Sequence, residues 1–299
     1  MPQTSKIKLM TDTCSDIPKE LADELGIKML CFPVTLDGQS FREVQDFSKE
    51  EFYEKIEAAQ EMPTTAQLTP FELQEAYESL YAEGYTDVIY VTIGAGGSAT
   101  NRNAILAKQQ FEEETMSPDR PMHIHSVDGR NYTATYGFCV VEAAKKLRRG
   151  ADINEILNFL VDWTSSAGLY FVPLSLKYIR KSGRVSAAAA FAGELLGLRP
   201  LCQIIDCESS VAQKIRGEQN IVPKLAEYAT SNMIPHTPYV VMRGCDPSYA
   251  NALTGLLTKQ LGYPPAESWS IGTTVTCNAG PNVVGIIIKQ QTRELTEIR

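Results

Sequence analysis

The run Val88-Ile89-Tyr90-Val91-Thr92-Ile93 passes directly into Gly94-Ala95-Gly96-Gly97-Ser98-Ala99-Thr100-Asn101, and helical spacing begins at Ala104. Strand, glycine-rich turn and helix in that order make one unit of an α/β sheet, and the pattern repeats on both sides. Downstream, Met122 to Val127 reads as a strand and about Thr135 to Leu147 as a helix with Val140, Ala144 and Leu147 inward. Asp152 and Glu155 open another helix, with the stripe Ile153, Ile156, Leu157, Leu160 and Val161. Upstream, Ile7 to Met10 is a strand, followed by a polar loop and a helix around Glu20 to Leu25. Ser48 with Glu51 forms a capping box ahead of Phe52 and Ile56. Thr69-Pro70-Phe71-Glu72 starts a helix with Leu73, Tyr77, Leu80 and Tyr81 on one side. Strands separated by helices pair in parallel through right-handed crossovers, and such a sheet opens its ligand crevice beyond the carboxyl ends of its strands.

The pattern changes after Trp163, which places a domain boundary near residue 165 and divides the chain into 1–165 and 166–299. Gly168 to Ser175 is apolar but irregular, and Ser182 to Arg199 is a basic turn followed by an Ala-rich, Gly-broken segment. Leu201 to Ile205 and Tyr239 to Met242 read as strands. Ala250 to Leu261 reads as a helix with Leu253, Leu256, Leu257 and Leu261 inward. Val275 and Val283 to Ile288 read as the last two strands, joined by the tight loop Cys277-Asn278-Ala279-Gly280-Pro281-Asn282.

At 299 residues two domains are natural, and the composition is that of a globular protein. The net charge of -8 offers no basic field for nucleic acid. Lys145-Lys146 and Arg148-Arg149 read as the solvated end of a helix. No apolar run reaches the roughly eighteen residues of a membrane span, and Met1 to Leu9 has no signal-peptide core, so stable membrane insertion is not expected. The seven cysteines lack any Cys-x-x-Cys and imply free thiols in the cytoplasm.

The loop from Gly94 fits a dinucleotide fingerprint in isolation, but it follows a later strand, and the residues about twenty positions on, Phe111-Glu112-Glu113-Glu114-Thr115, fall before the next strand and not at its end, where a ribose-binding acid belongs. It also fits a nest for a small anionic oxygen group, with Ser98 and Thr100 adding hydroxyls, or plain helix capping. Pro63-Thr64-Thr65-Ala66-Gln67-Leu68-Thr69-Pro70 has the same character. Asp12 and Asp128 each follow a strand, as catalytic or metal-binding acids do in such sheets. His123-x-His125 lacks a third metal ligand. Three histidines leave few candidates for a general base, and there is neither a Walker A sequence nor a nucleophile elbow.

Taken together, the motifs resemble the DegV family. Met10-Thr11-Asp12-Thr13-Cys14-Ser15-Asp16-Ile17-Pro18 is similar to the family's Thr-Asp-Ser-x-x-Asp-Leu-Pro. Thr65-Ala66-Gln67-Leu68-Thr69-Pro70 resembles Thr-Ser-Gln-Pro-Ser-Pro, and Ser98-Ala99-Thr100 begins the counterpart of Ser-Gly-Thr-Tyr-Gln-Ser-Ala. Val127-Asp128-Gly129 matches a strand end. Leu176-Lys177-Tyr178-Ile179-Arg180-Lys181-Ser182-Gly183-Arg184-Val185 is the most specific match, and Leu198-Arg199-Pro200 and Lys214-Ile215-Arg216 follow in order.

The resemblance implies an N-terminal parallel-sheet α/β sandwich and a smaller C-terminal α/β domain, with one long-chain fatty acid between them. It further implies a head group held by Thr65, Ser98 and Thr100, with Arg184 and Asn278 close by, and presentation of the lipid to a separate fatty acid kinase. No catalytic residue, cofactor or metal is expected. This chain departs from the pattern where His-x-Gly-Pro-Gly becomes Asn278-Ala279-Gly280-Pro281-Asn282, where Ala66 replaces a Ser, and where Gly94 to Gly97 replaces a Ser-rich stretch. The rival readings are an enzyme acting on a phosphorylated or carboxylated metabolite through Asp12 or Asp128, and a lipid-sensing regulatory module.

Overall fold

The computed structural model describes residues 5–186 and 197–290. The chain separates into two compact units, the first Met1–Thr164 with Gly272–Cys277, the second Ser165–Ile271 with Asn278–Arg299. The sequence predicts two consecutive pieces, 1–165 and 166–299, whereas the short segment Gly272–Cys277 belongs to the first unit.

In the first unit β1 (Ile7–Asp12), α1 (Lys19–Leu25) and β2 (Lys28–Leu30) make one crossover. A small antiparallel sheet follows, formed by β3 (Pro33–Leu36), β4 (Gln39–Arg42) and β5 (Thr64–Thr65) in the order β4-β3-β5, with α2 (Lys49–Ala58) between β4 and β5. Then come α3 (Pro70–Ala82), β6 (Asp87–Thr92), α4 (Thr100–Glu114), β7 (His123–Asp128), α5 (Ala134–Arg148) and α6 (Ile153–Ser166). The main sheet has the order β2-β1-β6-β7 and is parallel throughout.

The helix starts follow from local chemistry. Ser48 and Thr69 each accept the backbone N–H three residues on, and Glu51 and Glu72 each accept the cap residue's own N–H, so both capping boxes are complete. Asp152 accepts from the N–H groups of Asn154 and Glu155 at 2.8 and 3.0 Å. Tyr77, Leu73 and Leu80 are buried on the inner side of α3. In α6 the inward stripe is shifted: Val161 is 57% exposed, and Trp163 is buried, donating its indole N–H to the carbonyl of Thr135 at 2.7 Å.

The second unit is built on a six-stranded sheet of order β10-β9-β8-β13-β11-β12. Its strands are β8 (Ala167–Pro173), β9 (Leu198–Ile205), β10 (Glu208–Arg216), β11 (Tyr239–Arg243), β12 (Glu267–Ser270) and β13 (Val283–Lys289). Only the β11–β12 pair is parallel. The helices are α7 (Lys177–Ser182), α8 (Ile221–Asn232), α9 (Ser248–Leu261) and α10 (Thr273–Ala279), the last beginning in the first unit. Leu225, Leu253, Leu257, Val241 and Ile286 are fully buried in one core.

Three readings of the second half change. Gly168 to Ser175 holds a regular strand, β8, buried along its whole length, and a strand covered on both faces shows no alternation. Val275 lies in a helix, not a strand. β10 escaped notice because it is a polar edge strand with a register shift between Val211 and Gln213. Most of the Ala-rich segment lies outside the described residues.

One buried carboxylate ties the first unit together. Asp12, at the end of β1, accepts from the Ile93 N–H at 2.9 Å, just past β6, and from the Tyr136 hydroxyl on α5 at 2.6 Å. Burial, only partly offset by these donors, raises its pKa to about 7. A carboxyl whose folded pKa lies above its unfolded value contributes stability that is full below the unfolded pKa and is lost as pH rises through about 7. Unfolding free energy measured by urea titration is therefore expected to fall by about 2 kcal/mol between pH 5 and pH 8 on account of Asp12 alone. Asp12→Asn keeps an acceptor for Ile93 and removes this part of the slope. An unchanged slope in that variant would assign the titration elsewhere.

Candidate functional site

In the main sheet the chain runs outward from β1 to β2 on one side and from β6 to β7 on the other. The order therefore reverses between β1 and β6, and a parallel sheet opens a crevice at the carboxyl ends of the strands flanking such a point. Those ends carry Asp12 and the segment Ile93 to Thr100.

The glycine-rich turn is largely bonded to itself. Gly94 N–H donates to the Asn131 carbonyl at 2.9 Å, and Gly97 N–H to the Gly94 carbonyl at 3.0 Å. Asp128 accepts from the N–H groups of Ala95 at 3.0 Å and Arg130 at 2.9 Å. Gly97 lets the Tyr132 ring lie close, since a Cβ there would sit 2.2 Å from the ring and push it aside. With these three amides committed, the loop does not form the backbone nest that its glycines suggested. What it presents is the hydroxyl of Ser98, half-buried.

Ser98 Oγ lies 3.0 Å from Thr100 Oγ1 and accepts from the Thr100 N–H at 3.3 Å. Thr100 is fully buried, and its hydroxyl oxygen accepts from the Leu68 N–H at 3.3 Å. Asn103 donates its side-chain N–H to the Leu68 carbonyl at 2.7 Å. Thr100 and Asn103 thus fasten the start of α4 to the segment following Thr65. Thr65 itself pairs with Val34 in β5, and Thr64 and Thr65 point to opposite faces as neighbours in a strand must. Thr65 is half-buried and Thr64 exposed.

Arg184 and Asn278 belong to the second unit. Arg184 is exposed and donates from Nη1 to the Ser182 carbonyl at 2.9 Å. It follows Gly183, whose φ of 72° ends α7 in the left-handed conformation that glycine adopts most readily. Asn278 is half-buried in the last turn of α10. Gly280 approaches Tyr178 of α7 so closely that a Cβ would sit 2.8 Å from the ring. Asn282, where the family pattern has Gly, accepts from the Cys245 thiol at 3.0 Å. So the structure brings Ser98 and Thr100 into contact, ties the Thr65 segment to them, and sets Arg184 and Asn278 in the other unit.

The remaining candidates have structural partners. His125 faces Asp87 at 3.3 Å and His123 is exposed. Among the described residues no group of three or more His, Cys, Asp or Glu is placed to hold a metal ion. Burial pushes the Cys14 and Cys277 thiols well up, away from the thiolate that would make them reactive. Asp16 and Glu43, which the sequence did not single out as site residues, are buried carboxylates close to Asp12. Glu43 carries no local signal, since only its distant partners explain it. No helix among the described residues is long and apolar enough to cross a membrane.

The family model described as "Uncharacterised protein, DegV family" matches residues 6–291. A DegV domain-containing protein of Caldanaerobacter subterraneus subsp. tengcongensis is 26% identical over 288 residues, covering 96% of this chain and 99% of that one. The crystal structure of a fatty acid binding DegV family protein from Streptococcus agalactiae aligns with TM-score 0.83 and 25% identity, over 97% of this chain and 100% of the other. A stearic acid-binding protein from Eubacterium ventriosum shares the fold, with TM-score 0.83, 21% identity, and coverage of 95% and 98%. A match that runs through nearly the whole chain, in sequence and in fold, establishes that the chain belongs to the DegV family.

Proposed function

We propose that this chain binds one long-chain fatty acid in the cytoplasm, holding the carboxylate at Ser98 and Thr65, with no chemical turnover of its own. The observation that carries the reading is the hydroxyl relay at the start of α4. Leu68 donates to Thr100, so the Thr100 proton is free to point at Ser98 Oγ. With Thr100 as the donor of that pair, Ser98 has its own proton to offer a ligand acceptor. Chained hydroxyls polarise one another, and a carboxylate is the acceptor that gains most from such a donor. Thr65 supplies a second hydroxyl from the segment fastened to Thr100. The fatty acid binding relative from Streptococcus agalactiae supports this ligand class. Each methylene taken from water contributes about 0.8 kcal/mol, so a chain of about sixteen carbons would supply most of the affinity.

Asp12 and Asp128, on which an enzyme reading depends, favour the binding reading. Both carboxylates accept hydrogen bonds from the protein's own backbone. Arg184 and Asn278 enter the proposal through the family resemblance, not through the geometry. On the same basis a fatty acid kinase is the partner that would receive the lipid. Asn278 can hydrogen-bond a phosphoryl group but offers no counter-charge where the family pattern has histidine, so hand-over to that kinase is weakened more than lipid binding.

Native mass spectrometry of freshly purified protein should show one fatty acid per chain, lost on denaturing extraction. A bound nucleotide, or apo protein after lipid has been offered, would refute the proposal.

Ser98→Ala should weaken fatty acid binding by about 1–3 kcal/mol, and Thr65→Ala similarly. Thr100→Val should weaken it less, by releasing the Ser98 hydroxyl, and Thr64→Ala least. Equal dissociation constants for Ser98→Ala and the unaltered protein would reduce Ser98 to a helix cap.

With both proteins loaded with the same lipid, Asn278→His should raise acyl phosphate formation by a fatty acid kinase about tenfold to a hundredfold, with a smaller change in lipid affinity. Equal rates would show that Asn278 is no handicap.

A further inference from the structure

The helix α10 forms against its own sequence. Thr273-Thr274-Val275-Thr276-Cys277 is a run of residues poor at helix formation, and in isolation it reads as a strand. Two buried carboxylates from the beginning of the chain hold its first turn. Asp16 accepts the Gly272 N–H at 2.7 Å through Oδ1 and the Thr133 hydroxyl through Oδ2. Glu43 accepts the Thr274 N–H at 3.2 Å through Oε1, and the Thr274 and Thr13 hydroxyls at 2.7 and 2.8 Å through Oε2. The fit leaves no slack: a Cβ at Gly272 would lie 2.5 Å from Glu43 Oε1 and 2.7 Å from Asp16 Oδ1. Within the turn, Thr276 folds its hydroxyl back onto the Gly272 carbonyl at 2.7 Å.

The clasp is also anchored behind. Thr13, which donates to Glu43, accepts from the Phe32 N–H at 3.0 Å, and Lys49 donates to the Asp16 carbonyl at 3.0 Å. Among the described residues Lys49 is the cation that faces both carboxylates, and Asp12, Cys14, Cys31, Tyr136 and Cys277 are further titratable groups around them. The bonds from Asp16 and Glu43 to Gly272 and Thr274 are made within the first unit, to a segment more than two hundred residues away in the chain.

We propose that Asp16 and Glu43 are positioning residues that, by gripping the backbone of Gly272 and Thr274, set the helix whose last turn carries Asn278 and thereby tune how long a ligand is retained. The proposal rests on the reading of Asn278 as a head-group residue. Buried carboxylates are costly to keep, and here every oxygen is used on this helix start or on the threonines that brace it. A helix secured by a few tertiary hydrogen bonds, and not by propensity, loses its register when those bonds go.

The test uses the full chain, with amide hydrogen exchange and the dissociation rate of cis-parinaric acid, a fluorescent fatty acid. Glu43→Ala should speed exchange of the Thr274 to Cys277 amides, and parinarate dissociation, each by about tenfold. Glu43→Gln, which keeps an acceptor for the Thr274 N–H, should restore both to within about threefold of the unaltered protein. In an Asn278→Ala background Glu43→Ala should add little to the dissociation rate, because the two residues act in series. Should Glu43→Ala fail to fold, Thr274→Val removes one hydroxyl donor and is expected to shift both readouts in the same direction by less.

Unchanged exchange in the alanine variant, or dissociation effects that simply multiply in the double variant, would overturn the positioning role alone. Failure of the unaltered protein to bind parinarate would overturn the fatty acid reading, and the positioning role with it.

Discussion

The first unit depends on what happens where β1 and β6 end side by side. Parallel strands bring all their carboxyl ends to one edge, and the backbone groups just beyond that edge have lost their sheet partners. Asp12 answers this by accepting the Ile93 N–H and the Tyr136 hydroxyl, which joins two strands and α5 at one buried carboxylate. The glycine turn that follows Ile93 is then tied by Asp128 and Asn131 into a fixed shape, and Ser98 emerges from it at the helix start. A displacement at Asp12 would be felt at Ser98, since only four residues separate Ile93 from it.

The same edge explains why this part of the molecule holds acids without resembling a hydrolytic centre. Asp12, Asp16 and Glu43 are all fully buried, and burial moves each toward its neutral form, Asp12 and Asp16 to about 7. Each is surrounded by donors from the protein itself: backbone N–H groups, threonine hydroxyls and a tyrosine. Such carboxylates organise backbone. The half-buried hydroxyls of Ser98 and Thr65, proposed to meet the ligand, suit an anion that brings its own charge, and a fatty acid carboxylate is of that kind.

The family's motifs acquire separate physical explanations. Gly183 ends α7 at positive φ, Gly280 makes room for Tyr178, and Gly97 makes room for Tyr132. Asp12 and Asp16, four residues apart in one motif, serve different partners, the strand ends in one case and α10 in the other. Asn282 shows how a departure is absorbed: its side chain accepts from Cys245, and its carbonyl accepts the Leu174 N–H at 3.0 Å.

Much was determined by the sequence alone. Capping boxes at Ser48 and Thr69, apolar periodicity in α3 and α9, and the strand-turn-helix order around Ile93 are local, and they specify helices, strands and parallel pairing wherever the chain folds. The Thr65 and Ser98 segments, proposed to hold the ligand, stand out for the same reason, because small hydroxylated residues before a helix are a local pattern. Tertiary structure alone decided the rest. β8 looked irregular because it is covered on both faces, and β10 looked like loop because it is a polar edge. The glycine turn became a brace and not an anion nest once Asn131 and Asp128 claimed its amides. Val275 lies in a helix because Asp16 and Glu43 hold the N–H groups of Gly272 and Thr274. A hydrogen bond made across more than two hundred residues leaves no trace in periodicity or propensity, and here it outweighs both.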